Sequence, residues 1–197
     1  VDPALDGELV HLSSRARTEE TVRDAALGVE ARAIHLVREV EMYQWREDER
    51  TRKEKRIGGG TRRVTEYTYE REWSSRWLDS SDFREAAAHR NPPMPVEGRR
   101  FSAEVVTAGA RVLSPELVAQ IDRFEPLPVA PDRARGLETL GGEVHQDWRR
   151  IYVGRDPRSP AIGDLRISWR IAPPTTVSVL AAQRGGPFSA SETPTGR

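Results

Sequence analysis

No cysteine occurs in these 197 residues, so disulfides and thiolate chemistry are excluded together. That absence is neutral between a reducing and an oxidising compartment. Lysine is nearly missing too: Lys53 and Lys55 are the only two, and arginine carries the remaining positive charge, a skew that suits a GC-rich genome. Neither sign is in excess, since 31 basic residues meet 31 acidic ones. A net charge of zero gives no global attraction to a polyanion, which argues against a nucleic-acid partner. No stretch approaches the roughly 20 apolar residues of a membrane helix. The start, Val1-Asp2-Pro3, has neither a methionine nor the basic n-region of a signal peptide. Such a start is expected of a chain cut from something longer.

What is present is charge over a modest apolar supply, 31% against 37%. That predicts an open domain with long solvated segments around a thin core. Alternating apolar positions dominate the chain. Residues 7–17 read as a short strand, and Thr18 to Leu27 as one or two helical turns capped by Thr18 and ended by Gly28. Over 33–49, Ile34, Leu36, Val40 and Met42 share one face, with Val37, Tyr43 and Trp45 on the other. Residues 82–90 predict a short helix stopped by Asn91-Pro92-Pro93. Phe101 to Leu113 reads as one strand or two, and Ser114-Pro115-Glu116 as a helix start running through Ile121. An irregular proline-rich stretch lasts to about residue 144. Trp148 to Val153 predicts a strand, Asp156 to Pro160 a turn, and 165–171 with 175–183 a hairpin joined by Pro173-Pro174. The fold class expected is α+β: mostly antiparallel β-sheet with two or three short helices. One β-rich domain spans 1–190, with a disordered tail over 191–197.

The most informative feature is a charged hairpin. Charge takes over from Arg46 to Arg56, Gly58-Gly59-Gly60 follows, and a second alternation puts Thr65, Tyr67, Tyr69 and Trp73 on one face. A three-residue loop of those glycines would set Trp45 opposite Trp73, Glu47 opposite Arg71 and Arg52 opposite Glu66. Each favourable cross-strand pair contributes about 0.2–1 kcal/mol. Residues 47–71 carry charge on both faces, which no core covers, so a two-stranded ribbon is expected to project from the body.

Five strings then matter together: EVEMYQW at 39–45, TEYTYEREWSS at 65–75, HRNP at 89–92, GDLRISW at 163–169 and VSVLAAQRGG at 177–186. In that order and spacing the chain resembles the transmembrane protein 43 family over most of residues 8–190. The resemblance implies a membrane protein with an N-terminal membrane helix, a large domain on the non-cytosolic side and further C-terminal helices. That side is the endoplasmic reticulum or nuclear envelope lumen in eukaryotic relatives, and the periplasm for a bacterial chain. It implies an organiser of membrane protein complexes, with no catalytic residues to carry over. Its membrane helices are missing from this chain, and 122–144 shows no match.

Sites of chemistry are sparse. His35, Glu39 and Glu41 share a strand face, but four residues of strand put His35 about 13 Å from Glu39, too far to share an ion; a solvated, charge-patterned face is expected. His89 and Arg90 suit a helix C-terminus. No G-x-S-x-G occurs, and the glycine triplet lacks the Lys-Ser/Thr of a phosphate loop. Gly163 and Asp164 read as a structural turn whose carboxylate bonds nearby amides. No cofactor, metal or catalytic set is expected. The tryptophans Trp45 and Trp73 suit packing at the hairpin root, while Tyr67 and Tyr69 farther out, with Tyr43, complete the candidate interaction surface. The function expected is a non-enzymatic scaffold that meets other membrane proteins or a second copy of itself. The alternative is a small-ligand or lipid-headgroup binding domain, favoured by a pocket lined by Trp45, Trp73 and Trp169.

Overall fold

Period-2 alternation decides most of the secondary structure. The computed structural model describes residues 9–55, 58–147, 149–182 and 189–190. Leu9–Arg17 is β1, as expected. Thr21–Asp24 (β2) and Val29–Arg32 (β3) pair antiparallel, which corrects the helix expected over 18–27. Thr18 does cap the amide of Glu20 at 3.1 Å. However, Thr21 and Val22 are β-branched, Val22 and Asp24 share a buried face, and Gly28 at φ +69° closes a strand-to-strand turn.

His35–Lys55 (β4) and Thr61–Ser74 (β5) form the long hairpin. Leu36, Val40, Met42 and Gln44 are buried on one face of β4, while Tyr43 and Trp45 lie half-buried on the other. The apolar segment 101–113, open between one strand and two, is divided among Arg99–Ser102 (β6), Thr107–Ala108 (β7) and Arg111–Val112 (β8). Pro115–Ala119 is helix α1, with proline in its first turn as expected. The remaining strands are Glu125–Leu127 (β9), Val144–Asp147 (β10), Arg150–Val153 (β11), Leu165–Ala172 (β12), Thr175–Ala182 (β13) and Ser189–Ala190 (β14). Trp148, the expected start of a strand, and the tail 191–197 lie outside the described residues.

Two further expectations are corrected. Residues 84–88 make hydrogen-bonded turns, with His89 N to Glu85 O at 3.2 Å, but no α-helix. A single turn is a costly nucleus, and the first amides of this segment are taken by side chains of the hairpin, described below. The strands β12 and β13 do not pair with each other. Leu9 to Ala16 of β1 face Ala182 to Thr175 of β13, whereas β12 pairs with β11 and β9. Pro173 and Pro174 between them supply no N–H to a hairpin turn, and the chain passes from one sheet to another.

The architecture is thus mostly antiparallel β-sheet with very little helix. No helix among the described residues is long and apolar enough to cross a membrane. The chain forms two compact units. The first (1–38, 99–136 and 168–197) contains the five-stranded sheet β14-β13-β1-β7-β8, the β2–β3 hairpin and α1. Its core includes Ile34, Leu36, Val106, Val118 and Trp169. Within it, the Asp24 carboxylate is fully buried, ion-paired with Arg38 and bonded by Trp169 Nε1 at 3.1 Å. The second unit (39–98 and 137–167) contains the hairpin and β10-β11, packed through Met42, Ile151, Tyr152, Leu165 and Ile167.

Candidate interaction surface

The hairpin register places Tyr43 opposite Trp73, Trp45 opposite Arg71, Arg46 opposite Glu70 and Lys55 opposite Thr61. This corrects the expected pairing of Trp45 with Trp73. The last pair is Lys55 with Thr61, and Gly58, Gly59 and Gly60 between them all adopt positive φ. The two registers differ by two residues, so they present the same faces, and alternation alone cannot separate them. The observed one leaves Lys53 against Arg63 as its single like-charged pair.

At the root, the Tyr43 and Trp73 rings lie 5.1 Å apart, and the Arg166 guanidinium sits 4.0 Å from the Trp73 ring. Tyr43 also bonds across to Asp164 O and from Gly163 N, both at 2.9 Å. The Asp164 carboxylate accepts from the Ala161 amide at 2.7 Å and from the Tyr152 hydroxyl. Burial, and then donation to that carboxylate, push the Tyr152 phenol far up. Asp164 has room only because residue 154 is glycine: a Cβ there would lie 2.4 Å from its carboxyl carbon.

Farther out, the face bearing Trp45 and Tyr69 is covered by residues 83–91. The Tyr69 hydroxyl donates to Glu47 Oε2 at 2.7 Å, and the Arg84 and Glu85 amides donate to Glu47 Oε2 and Tyr69 Oη at 2.6 and 2.9 Å. Partial desolvation and the bond to Glu47 raise the Tyr69 phenol above its ordinary value. The His89 ring stacks flat on Tyr69 at 3.7 Å and meets Trp45 edge-on at 4.7 Å, so it serves the hairpin and not a helix terminus. Asn91 clamps Trp45 from both sides, accepting from its amide at 2.7 Å and donating to its carbonyl at 2.9 Å. The opposite face holds a charge cluster: Arg46 lies 2.9 Å from Asp48 and 3.1 Å from both Glu70 and Glu72. The bond to Glu70, with the fields of Asp48 and Glu72, raises its guanidinium further.

Of the five candidate aromatics, Tyr43 and Trp73 therefore sit at the root, and Trp45 and Tyr69 lie under the 83–91 segment. Tyr67, opposite Glu49, is half-buried and carries no hydrogen bond or ring contact among the described residues. Sequence reasoning missed Glu47, Asn91 and Gln44, whose buried amide donates to Arg76 O at 2.9 Å and accepts from the Leu78 amide at 2.8 Å. The HRNP string did mark Asn91, but as a helix stop. His35 is corrected: it is fully buried, with Nδ1 2.8 Å from Ser102 Oγ and Nε2 2.9 Å from Val118 O, not on a solvated face. Among the described residues, no three His, Asp or Glu gather as a metal site. A groove of about 750 Å³ in the first unit is lined by Arg23, Asp24, Val129, Arg133 and Arg135 among others, and by none of Trp45, Trp73 and Trp169.

The family model described as Transmembrane protein 43 matches residues 42–197. Among curated relatives, the human protein of that name is 34% identical over 203 residues, covering 96% of this chain and 49% of its own length. The rat protein is 34% identical over 196 residues (94% and 48%), and a Drosophila melanogaster homolog is 28% identical over 172 residues (85% and 44%). The chain thus spans about half the length of the curated relatives it matches. No solved structure matches it. With the family's model aligned to the hairpin, the docked segment and the C-terminal strands alike, this chain belongs to the transmembrane protein 43 family.

Proposed function

We propose that this chain is the non-enzymatic interaction domain of an integral membrane protein. Helices outside the chain would hold it on the non-cytosolic side, where it organises membrane protein complexes by touching other membrane proteins or a second copy. Family membership supports the membrane setting. The observation that carries the contact role is the outer hairpin: residues 49–53 of β4 and 61–63 of β5 are all exposed, with charge on both faces. A surface maintained without a core beneath it, and with Tyr67 uncommitted on it, suits recognition. The test is the full-length protein carrying Tyr67→Ala, purified from detergent-solubilised membranes. Co-purifying partners are expected to fall severalfold, while Tyr69→Phe, which keeps the ring stack, leaves the face in place. Unchanged capture by Tyr67→Ala would refute the role of the hairpin. A second reading, a small-ligand or lipid-headgroup site, draws on the groove in the first unit, where Arg133 and Arg135 are exposed.

A further inference from the structure

Among the described residues, β5 has a strand neighbour on one side only. The strand order ends on it, and among the described residues no backbone hydrogen bond closes its outer edge along 14 residues. An open edge of that length is a template for another strand. Its charge is polarised: Arg62 and Arg63 stand near its start, while Glu66, Glu70 and Glu72, interrupted by Arg71, fill its later half. A strand with a basic beginning and an acidic end complements itself when run antiparallel, the self-matching surface a two-fold dimer needs.

We propose that a second copy of this chain adds its β5 to that edge, antiparallel and centred on Glu66. The inference rests on the reading of the hairpin as the contact element. A two-fold axis normal to the sheet keeps every side chain on its own face, so odd residues pair with odd and even with even. Centring on Glu66 pairs residues 61–71 and puts Arg62 opposite Glu70 of the second copy, twice. Within each chain Arg62 already pairs with Glu54 at 3.0 Å and Glu70 with Arg46 at 3.1 Å. The row across four strands therefore reads Glu54, Arg62, Glu70, Arg46, alternating in sign throughout. The two Glu66 side chains meet at the axis, each flanked by the Arg50 opposite it. Centring on Tyr67 instead sets Arg63 against Arg71, and centring on Thr68 sets Glu66 against Glu70. Centring on Val64 pairs only 61–67.

The chain has no native cysteine, which makes single-cysteine cross-linking clean. Directly opposed residues lie about 4.5–5.5 Å apart between Cα atoms, within disulfide reach. Two residues off the axis, a side chain and its own copy are separated by about 13 Å. Under mild oxidation, Glu66→Cys is expected to give disulfide-linked dimer at least tenfold faster than Val64→Cys or Thr68→Cys. In sedimentation of the 197-residue chain, Glu66→Gln should tighten the dimer by up to about fivefold, because it removes the like-charged pair. Equal cross-linking at the three positions, or a chain that stays monomeric at every concentration, would overturn the proposal. Such a failure is separable from that of the hairpin reading: cross-linking reports only the second copy, whereas Tyr67→Ala in the full-length protein reports capture of other membrane proteins.

Discussion

His35 shows how much one buried side chain constrains. A carbonyl only accepts hydrogen bonds, so Nε2, facing Val118 O, carries a proton, while Nδ1 lies 2.8 Å from the Ser102 hydroxyl, which can donate to it when the ring is neutral. Burial favours that neutral form. Burial lowers its pKa below the ordinary 6.5; the bond to Val118 offsets this in part, and the charge of Arg100 adds to the lowering. Below pH 6.5 the unfolded chain binds a proton that the folded ring resists. The contribution of His35 to stability is thus complete above 6.5 and is lost as pH falls through that value towards the folded pKa. Urea midpoints measured from about pH 7.5 down to about pH 5.5 should decline, and the decline should be shallower in His35→Gln. An identical slope in the variant would show that the ring does not carry it. None of this was legible locally. Alternation put His35 on a solvated face, and the groups that cover it lie 67 and 83 positions downstream. Asp24 is a parallel case, since its partner Trp169 is 145 positions away.

The hairpin was legible as an element because everything that defines it is close in sequence: two alternating runs around three glycines, with aromatics at the base and charge beyond. Its register was not, because a shift of two residues keeps every face and exchanges one set of salt pairs for another. The packing that selects it is tertiary: Tyr43 is held by Gly163 and Asp164, and Tyr69 by Glu47 and residues 84–89. The same tertiary demand converts the expected helix at 82–90 into turns, since the amides of Arg84 and Glu85 cap hairpin side chains. Thr51 and Thr65 report the register directly, with hydroxyls 3.0 Å apart across the pair. Replacing both by cysteine should give an intrachain disulfide on mild oxidation, with little change in the circular dichroism of the sheet. The combination Lys53→Cys with Thr65→Cys, opposed only in the three-residue-loop register, should not close. Closure of that second pair in place of the first would displace the hairpin geometry described above.

Long-range pairing is where local reading fails most. β1 and β13 are each recognisable as strands, yet nothing near Leu9 announces that Ala182 is opposite. Charge, in contrast, is readable from composition and speaks to what the chain touches. With 31 residues of each sign, attraction to an anionic bilayer would require basic residues clustered apart from acidic ones, each contributing about 1 kcal/mol near the surface. The hairpin does the opposite: Arg46, Asp48, Arg50, Arg52 and Glu54 mix the two signs along one face of β4, with Glu66 opposite Arg50, and successive residues on that face are about 7 Å apart, within a Debye length of about 8 Å at physiological salt. Their fields cancel at any extended charged surface while remaining distinct to a strand or side chain in contact. The groove in the first unit holds a local basic pair, Arg133 and Arg135 with Asp132 beside them, while Arg23 is paired with Glu30 at 2.8 Å. Cosedimentation with phosphatidylserine-rich vesicles at about 0.15 M salt therefore separates the two functional readings. The 197-residue chain is expected to stay in the supernatant, and Arg133→Ala with Arg135→Ala to change nothing. Binding that this double substitution abolishes would move recognition from the hairpin to the groove, and from proteins to lipid headgroups.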